Sequence, residues 1–246
     1  MPELIPWQRA GQPGAITALP IDLAHTGLLA IDLQYACATP DAGFPGNERA
    51  WQPAVIERWG EVVRGHVLPN VERLLAWFRA RELAVVHTRV GSYLPSGLDL
   101  HPRRRESNLR HRGEPPFRCA FGDPLHAILA EVAPAPGELV IDKNTSGAFV
   151  GSPIDFYLRN LDLQTLVACG IATQACVQHT VRDAADLGYN VVLVSDACSS
   201  SPGDDNAHER TLRVFGRLFG AVKTTDEVLA DLERLAQPTT LYARAP

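Results

Sequence analysis

Three residues of this sequence have types and positions that could act together on a covalent bond: Asp32, Lys143 and Cys176. Each lies at or beyond the end of a short apolar run. Leu28–Ile31 ends in Asp32, Leu139–Ile141 ends in Asp142-Lys143, and Leu166–Ala168 leads through Gly170-Ile171-Ala172-Thr173-Gln174-Ala175 to Cys176 and a helical stretch. In an open parallel sheet, ligands collect outside the carboxyl ends of the strands, so this spacing puts an acid, an amine and a thiol on one edge. An ordinary thiol, with a pKa near ~8.5, is only a small fraction thiolate at neutral pH. A helix start and a neighbouring ammonium both favour its anion. A carboxylate can take the thiol proton and return it to a departing nitrogen, and unpaired N–H groups at the helix start can hold an oxyanion. The chemistry on offer is nucleophilic cleavage of an amide-type bond. Taken singly, each residue has a plainer reading: a strand-end aspartate that caps a turn, a solvated lysine, a cysteine filling the core. Their shared edge favours the chemical reading.

Six apolar runs supply that edge: Leu28–Ile31, Ala84–Val86, Leu139–Ile141, Leu166–Ala168, Val191–Val194 and the weaker Gly220–Val222. Amphipathic stretches at Val67–Arg81, Pro153–Asn160 and Ala175–Leu187 lie between them, the last closed by Gly188. Apolar runs alternating with helical periods predict an α/β fold, a doubly wound three-layer sandwich with a six-stranded, mainly parallel sheet. Residues 1–25 break the rhythm and read as a Pro/Gly-punctuated arm packed on a neighbour or another subunit; 26–246 read as a single domain. The stretch of about 91–118 reads as a long insert between the second and third strands, of a length usually reserved for functional or flexible loops.

A net charge of -5 argues against nucleic acid and anionic membranes as partners, leaving small-molecule chemistry. The first twenty residues lack the basic start and apolar run of a signal peptide, and no stretch reaches the ~18 apolar residues of a membrane span, which predicts a cytoplasmic protein. The five cysteines, Cys37, Cys119, Cys169, Cys176 and Cys198, are odd in number and form no CxxC pair. They read as thiols, most of them inert core fillers, rather than as disulfides or zinc ligands.

The segment GIATQACVQHTVRDAADLGYNVVLVSDAC resembles the cysteine segment of the isochorismatase-like cysteine hydrolases. That family includes nicotinamidase, N-carbamoylsarcosine amidohydrolase, ureidoacrylate amidohydrolase and the biuret and triuret hydrolases. AIDLQ resembles its aspartate strand and IDKNTSGAF its lysine strand, so the likeness spans about Leu28 to Leu235. It implies Cys176 as nucleophile, Asp32 as acid–base and Lys143 as the residue that orients and polarises both. It also implies a cis peptide at Ile171-Ala172, with the N–H groups of Ala172 and Cys176 forming an oxyanion hole. The implied intermediate is a thioester, or a thiocarbamate from a urea derivative. Homo-dimers or homo-tetramers are common in the family.

The presence of Cys176 disfavours true isochorismatase activity, since members acting on that vinyl ether lack the nucleophile. Plain nicotinamidase is disfavoured too: the metal motif Asp-x-His is missing after the second strand, and Asp99-Leu100-His101 falls about ten residues late. No metal and no cofactor are expected. Gln34, Tyr35, Phe149 and Gln174 adjoin the candidate residues in sequence and are expected to line the pocket. Arg103, Arg104, Arg105, Arg110, Arg112 and Arg118 could bring a substrate carboxylate to the site or form an arginine-rich surface or subunit contact. The expected activity is hydrolysis of a C–N bond in an N-carbamoyl compound, a biuret-like ureide or a related amide, with release of ammonia. The rivals are isochorismatase or nicotinamidase activity, a catalytically silent domain, and a redox sensor with Cys169 or Cys198 as resolving thiol. His179 and Arg182 read as packing residues, and His208, in NAHERTL, resembles a recurrent but non-catalytic family position.

Overall fold

The computed structural model describes residues 3–6, 18–38, 53–102, 105, 120–200 and 206–237. The apolar runs form the strands of one six-stranded parallel sheet: β3 (Thr26–Ile31), β4 (Val85–Val90), β5 (Leu139–Lys143), β6 (Thr165–Ile171), β7 (Asn190–Ser199) and β8 (Ala221–Lys223). Every residue of β3 and β6 is buried, as a sheet covered on both faces requires. The two strands before β3, β1 (Glu3–Pro6) and β2 (Ala18–Ile21), pair antiparallel. The arm read from the sequence therefore contains a small two-stranded sheet of its own.

Strand order across the large sheet is β5-β4-β3-β6-β7-β8. The chain moves outward from β3 to β4 and β5, returns to lay β6 on the other side of β3, and continues to β7 and β8. The order therefore reverses between β3 and β6, and a doubly wound fold opens its ligand crevice there, outside the carboxyl ends of the strands. Ile31 pairs in register with Gly170 at that point. Gly170 has φ +128, and a Cβ there would stand 2.1 Å from the Ile31 carbonyl oxygen, so only glycine lets the two strand ends approach this closely.

Among the described residues the α-helices include α1 (Tyr35–Ala38), α2 (Pro53–Val62), α3 (Leu68–Arg79), α4 (Ala148–Gly151), α5 (Ile154–Asn160), α6 (Gln178–Asp186), α7 (Ala207–Leu218) and α8 (Thr225–Ala236). The periodicity at Val67–Arg81 is α3, with Val71, Leu74, Leu75 and Phe78 buried against the sheet. It is continued upstream by α2 through the wide turn Val63–Val67. The third stretch divides into a wide turn, Thr173–Val177, and α6, with Gly188 at φ +92 just beyond. α3 packs on β3, β4 and β7 and meets α8; α6 and α7 touch β7 and each other. Among the described residues, no helix is long and apolar enough to cross a membrane.

Candidate active site

Asp32 is the first residue beyond β3. Its backbone turns to φ +53, a left-handed conformation that aspartate tolerates better than most side chains. Two contacts from Thr88 on the adjacent β4 hold it there: the Asp32 N–H donates to the Thr88 carbonyl at 3.1 Å, and the Thr88 hydroxyl donates to Asp32 Oδ1 at 2.7 Å. The other carboxylate oxygen, Oδ2, accepts from Lys143 Nζ at 2.7 Å. Both members of this ion pair have side-chain exposure of 0%.

Lys143 ends β5, two strands from β3. Adjacent strands lie about 4.8 Å apart, so the extended lysine and the aspartate side chain together bridge roughly 10 Å over β4. The ammonium also donates to the Thr145 carbonyl at 3.0 Å and the Ser146 carbonyl at 2.9 Å, because the chain folds back over it after β5. Each of its three protons thus has an acceptor, which offsets the cost of burying the charge.

Cys176 sits in the wide turn that joins β6 to α6, with 7% of its surface exposed. The peptide entering the turn, Ile171-Ala172, is cis, as the resemblance implied. The Ala172 carbonyl accepts from the N–H groups of Ala175 at 2.9 Å and Val177 at 3.3 Å, winding the chain tightly ahead of the helix. A turn of this width at a strand–helix junction is a common setting for functional residues. No described cysteine is in a disulfide. Burial pushes the Cys169 thiol up to about 12 and Cys198 well above its ordinary range, so neither has the thiolate character of a resolving cysteine.

The expected pocket residues divide. Gln174 is half-buried in the cysteine turn, and half-buried Tyr35 begins α1 beyond Asp32, its N–H donating to the Ala127 carbonyl. Gln34 is fully buried and acts as a brace. Its amide donates to the carbonyls of Val90 (3.2 Å) and His126 (2.8 Å) and accepts from the Val90 N–H (2.7 Å), tying β4 to the loop before β5. Phe149 lies in α4, whose first residue Ala148 donates its N–H to the Thr180 hydroxyl of α6, and its ring is 5.9 Å from that of Tyr189, the residue before β7.

Polar residues near Lys143 are likewise committed. Asp142 takes a two-bond grip from Arg89, at 2.8 and 2.9 Å. Asp99, the acid of the misplaced Asp-x-His letters, accepts from the Ser92 hydroxyl and from the Tyr93 and Leu94 N–H groups, while its carbonyl accepts from Asn144. No group of three metal-ligating side chains occurs among the described residues. Of the insert's arginines only Arg105 falls within the described residues, its N–H donating to the His101 carbonyl; Arg103, Arg104, Arg110, Arg112 and Arg118 lie outside them.

Two contacts at the candidate site come only from the packed chain. Thr88 reads as one more strand residue, although the register opposite Ile31 places it beside Asp32. His208 meets the cysteine turn, its Nδ1 2.9 Å from the Thr173 hydroxyl.

A buried acid–amine pair and a cysteine turn thus flank the point where the doubly wound sheet reverses its order. Residues 26–227 match the Isochorismatase domain. The chain is 30% identical, over 89% of its length and the whole of the relative, to an uncharacterized isochorismatase family protein, YwoC, of Bacillus subtilis (strain 168). It is 30% identical to the ureidoacrylate amidohydrolase RutB of Pseudomonas savastanoi pv. phaseolicola, over 71% of this chain and 74% of that one. Its fold is shared with a cysteine hydrolase from Pseudomonas syringae pv. phaseolicola 1448A, with a TM-score of 0.74 at 22% identity, covering 91% and 99% of the two chains. The protein belongs to the isochorismatase family of hydrolases.

Proposed function

We propose that this chain is a cysteine-dependent amidohydrolase that cleaves a C–N bond of a small amide or ureido compound and releases ammonia. The observation that carries this reading is the fully buried Asp32–Lys143 pair at the sheet edge where the Cys176 turn begins. A buried ion pair is weak evidence for stability, and one placed at a ligand crevice is better explained by chemistry.

In the proposed cycle, Asp32 takes the Cys176 thiol proton and the sulfur attacks the substrate carbonyl carbon. The N–H groups of Ala172 and Cys176 hold the oxygen of the tetrahedral intermediate. As the C–N bond breaks, Asp32 passes the proton to the leaving nitrogen, and ammonia departs from a thioester or thiocarbamate. Water then attacks the acyl carbon and gives a proton to Asp32; the C–S bond breaks to release the acid, and Asp32 returns the proton to the sulfur, restoring the thiol. Lys143 is tethered by two carbonyls besides Asp32, which suits it to fixing the carboxylate and favouring the thiolate rather than meeting substrate. Gln34 joins it as a positioning residue, while Tyr35 and Gln174 stay as pocket candidates. The likeness to a ureidoacrylate amidohydrolase supports a ureido or N-carbamoyl substrate over nicotinamide. We further propose that the enzyme is cytoplasmic and a homo-oligomer.

The test is ammonia release from N-carbamoyl amino acids, biuret, triuret, ureidoacrylate, maleamate and nicotinamide. Release from a ureido compound by the wild type, abolished in a folded Cys176→Ala variant, is the expected result. Unchanged release in that variant overturns the mechanism.

A further inference from the structure

The turn that carries Cys176 is anchored at its start by a residue outside the proposed cycle. Thr173, three positions before the cysteine, is completely buried, and its hydroxyl lies 2.9 Å from Nδ1 of His208, the second residue of α7. At 2.9 Å this is a hydrogen bond whichever group donates, because a hydroxyl both donates and accepts and a neutral imidazole offers one nitrogen of each kind. Burial, working against the Glu209 charge and the Ser195 carbonyl, lowers the His208 pKa and favours the neutral ring. The bond ties the cysteine turn to α7, joining residues 35 positions apart.

Two other polar contacts of this region are local. The Ala172 carbonyl is engaged within the turn, and the His179 ring, 2.8 Å from the Ala175 carbonyl, belongs to the helix that follows. The Thr173–His208 bond instead ties the front of the turn to a separate element. We propose that His208 is a positioning residue for the nucleophile: it fixes Thr173, and through it the attack geometry of Cys176, without touching substrate. The inference rests on the cysteine-hydrolase reading above.

Its test uses the whole protein and four variants. His208→Leu removes the ring nitrogen; His208→Asn puts an amide oxygen or nitrogen the same number of bonds from the backbone as Nδ1; Thr173→Val removes the hydroxyl; the fourth variant carries both His208→Leu and Thr173→Val. Misplacing a reacting atom by about 1 Å costs on the order of 10- to 100-fold. His208→Leu and Thr173→Val should therefore each lower kcat by roughly that range, with KM within about twofold. The rate at which iodoacetamide labels the Cys176 peptide, read by mass spectrometry, should change with kcat. His208→Asn should recover most of both, and the double variant should be no worse than the poorer single one, because one bond is broken in all three. Wild-type kcat and labelling in His208→Leu, a His208→Asn variant as impaired as His208→Leu, or losses that multiply in the double variant would each overturn the proposal. If His208→Leu does not fold, Thr173→Val against Thr173→Ser decides, since serine keeps the hydroxyl and should keep the rate. Labelling needs no substrate, so failure here is distinguishable from failure of the amidohydrolase reading, which is decided by Cys176→Ala.

Discussion

Replacing Lys143 by methionine keeps the length of the stem and deletes the ammonium. The variant leaves the fully buried Asp32 carboxylate with the Thr88 hydroxyl as its remaining side-chain donor, and strips the Thr145 and Ser146 carbonyls of a partner. Breaking a buried pair by removing one member costs about 3–5 kcal/mol, most of it the penalty of the stranded charge. Domains are stable by about 5–15 kcal/mol, so the variant should remain folded but unfold at clearly lower denaturant. Asp32→Asn, which strands the ammonium instead, should lose a similar amount. The double variant carries no buried charge and should lose no more than either single one. Guanidinium unfolding followed by circular dichroism gives all four corners of the cycle, and ammonia release gives the activities, which should be lost in every corner but the wild type. A loss below about 1 kcal/mol in Lys143→Met, or a double variant whose loss equals the sum of the singles, would refute the account of a buried, mutually dependent pair.

Three further outcomes follow from particular contacts. Gly170→Ala should cost at least about 3 kcal/mol or abolish soluble expression, since the new Cβ meets the Ile31 carbonyl oxygen at 2.1 Å from a backbone already at φ +128; wild-type stability there would mean the strand ends are not this close. Thr88→Val should lower stability by about 1.5–3 kcal/mol and reduce ammonia release, with Thr88→Ser recovering the greater part; equal effects of the two would show that the hydroxyl is not what holds Asp32. Acid should destabilise the protein through the His87–Glu138–Arg79 cluster. Burial alone would raise Glu138, but the bonds from Arg79, the Ala135 N–H and His87 outweigh it and hold the carboxyl at about 2 against an ordinary 4.5. Its contribution is complete above pH 4.5 and is lost as pH falls toward 2. Burial likewise lowers His87 from 6.5, so a loss from that ring begins below that pH. Glu138→Gln should cost up to about 3 kcal/mol at pH 7 and flatten the stability profile between pH 4.5 and 2; an unchanged profile would remove the cluster from the account.

The six strands, and the places of Asp32 and Lys143 at strand ends, were legible in the chain's order, because an apolar run followed closely by a polar residue is a local signal. So was the cysteine segment, whose glycine, alanine and threonine surround the turn. Other features depend on contacts between distant parts of the chain. That β6 returns beside β3, bringing the Cys176 turn to the strand that ends in Asp32, is a matter of strand order, to which each strand's own pattern is blind. The partners are separated by 56 residues for Thr88 and Asp32, 111 for Lys143 and Asp32, and 35 for Thr173 and His208, so no periodicity links them. Adjacency in sequence does not tell contacts either: Gln34 braces the loop before β5, and the Phe149 ring packs on Tyr189. The order of residues sets which groups are available. Folding then selects which of them lie buried, what each one donates to, and which are left to face a substrate, since burial and hydrogen-bond partnership belong to the packed chain.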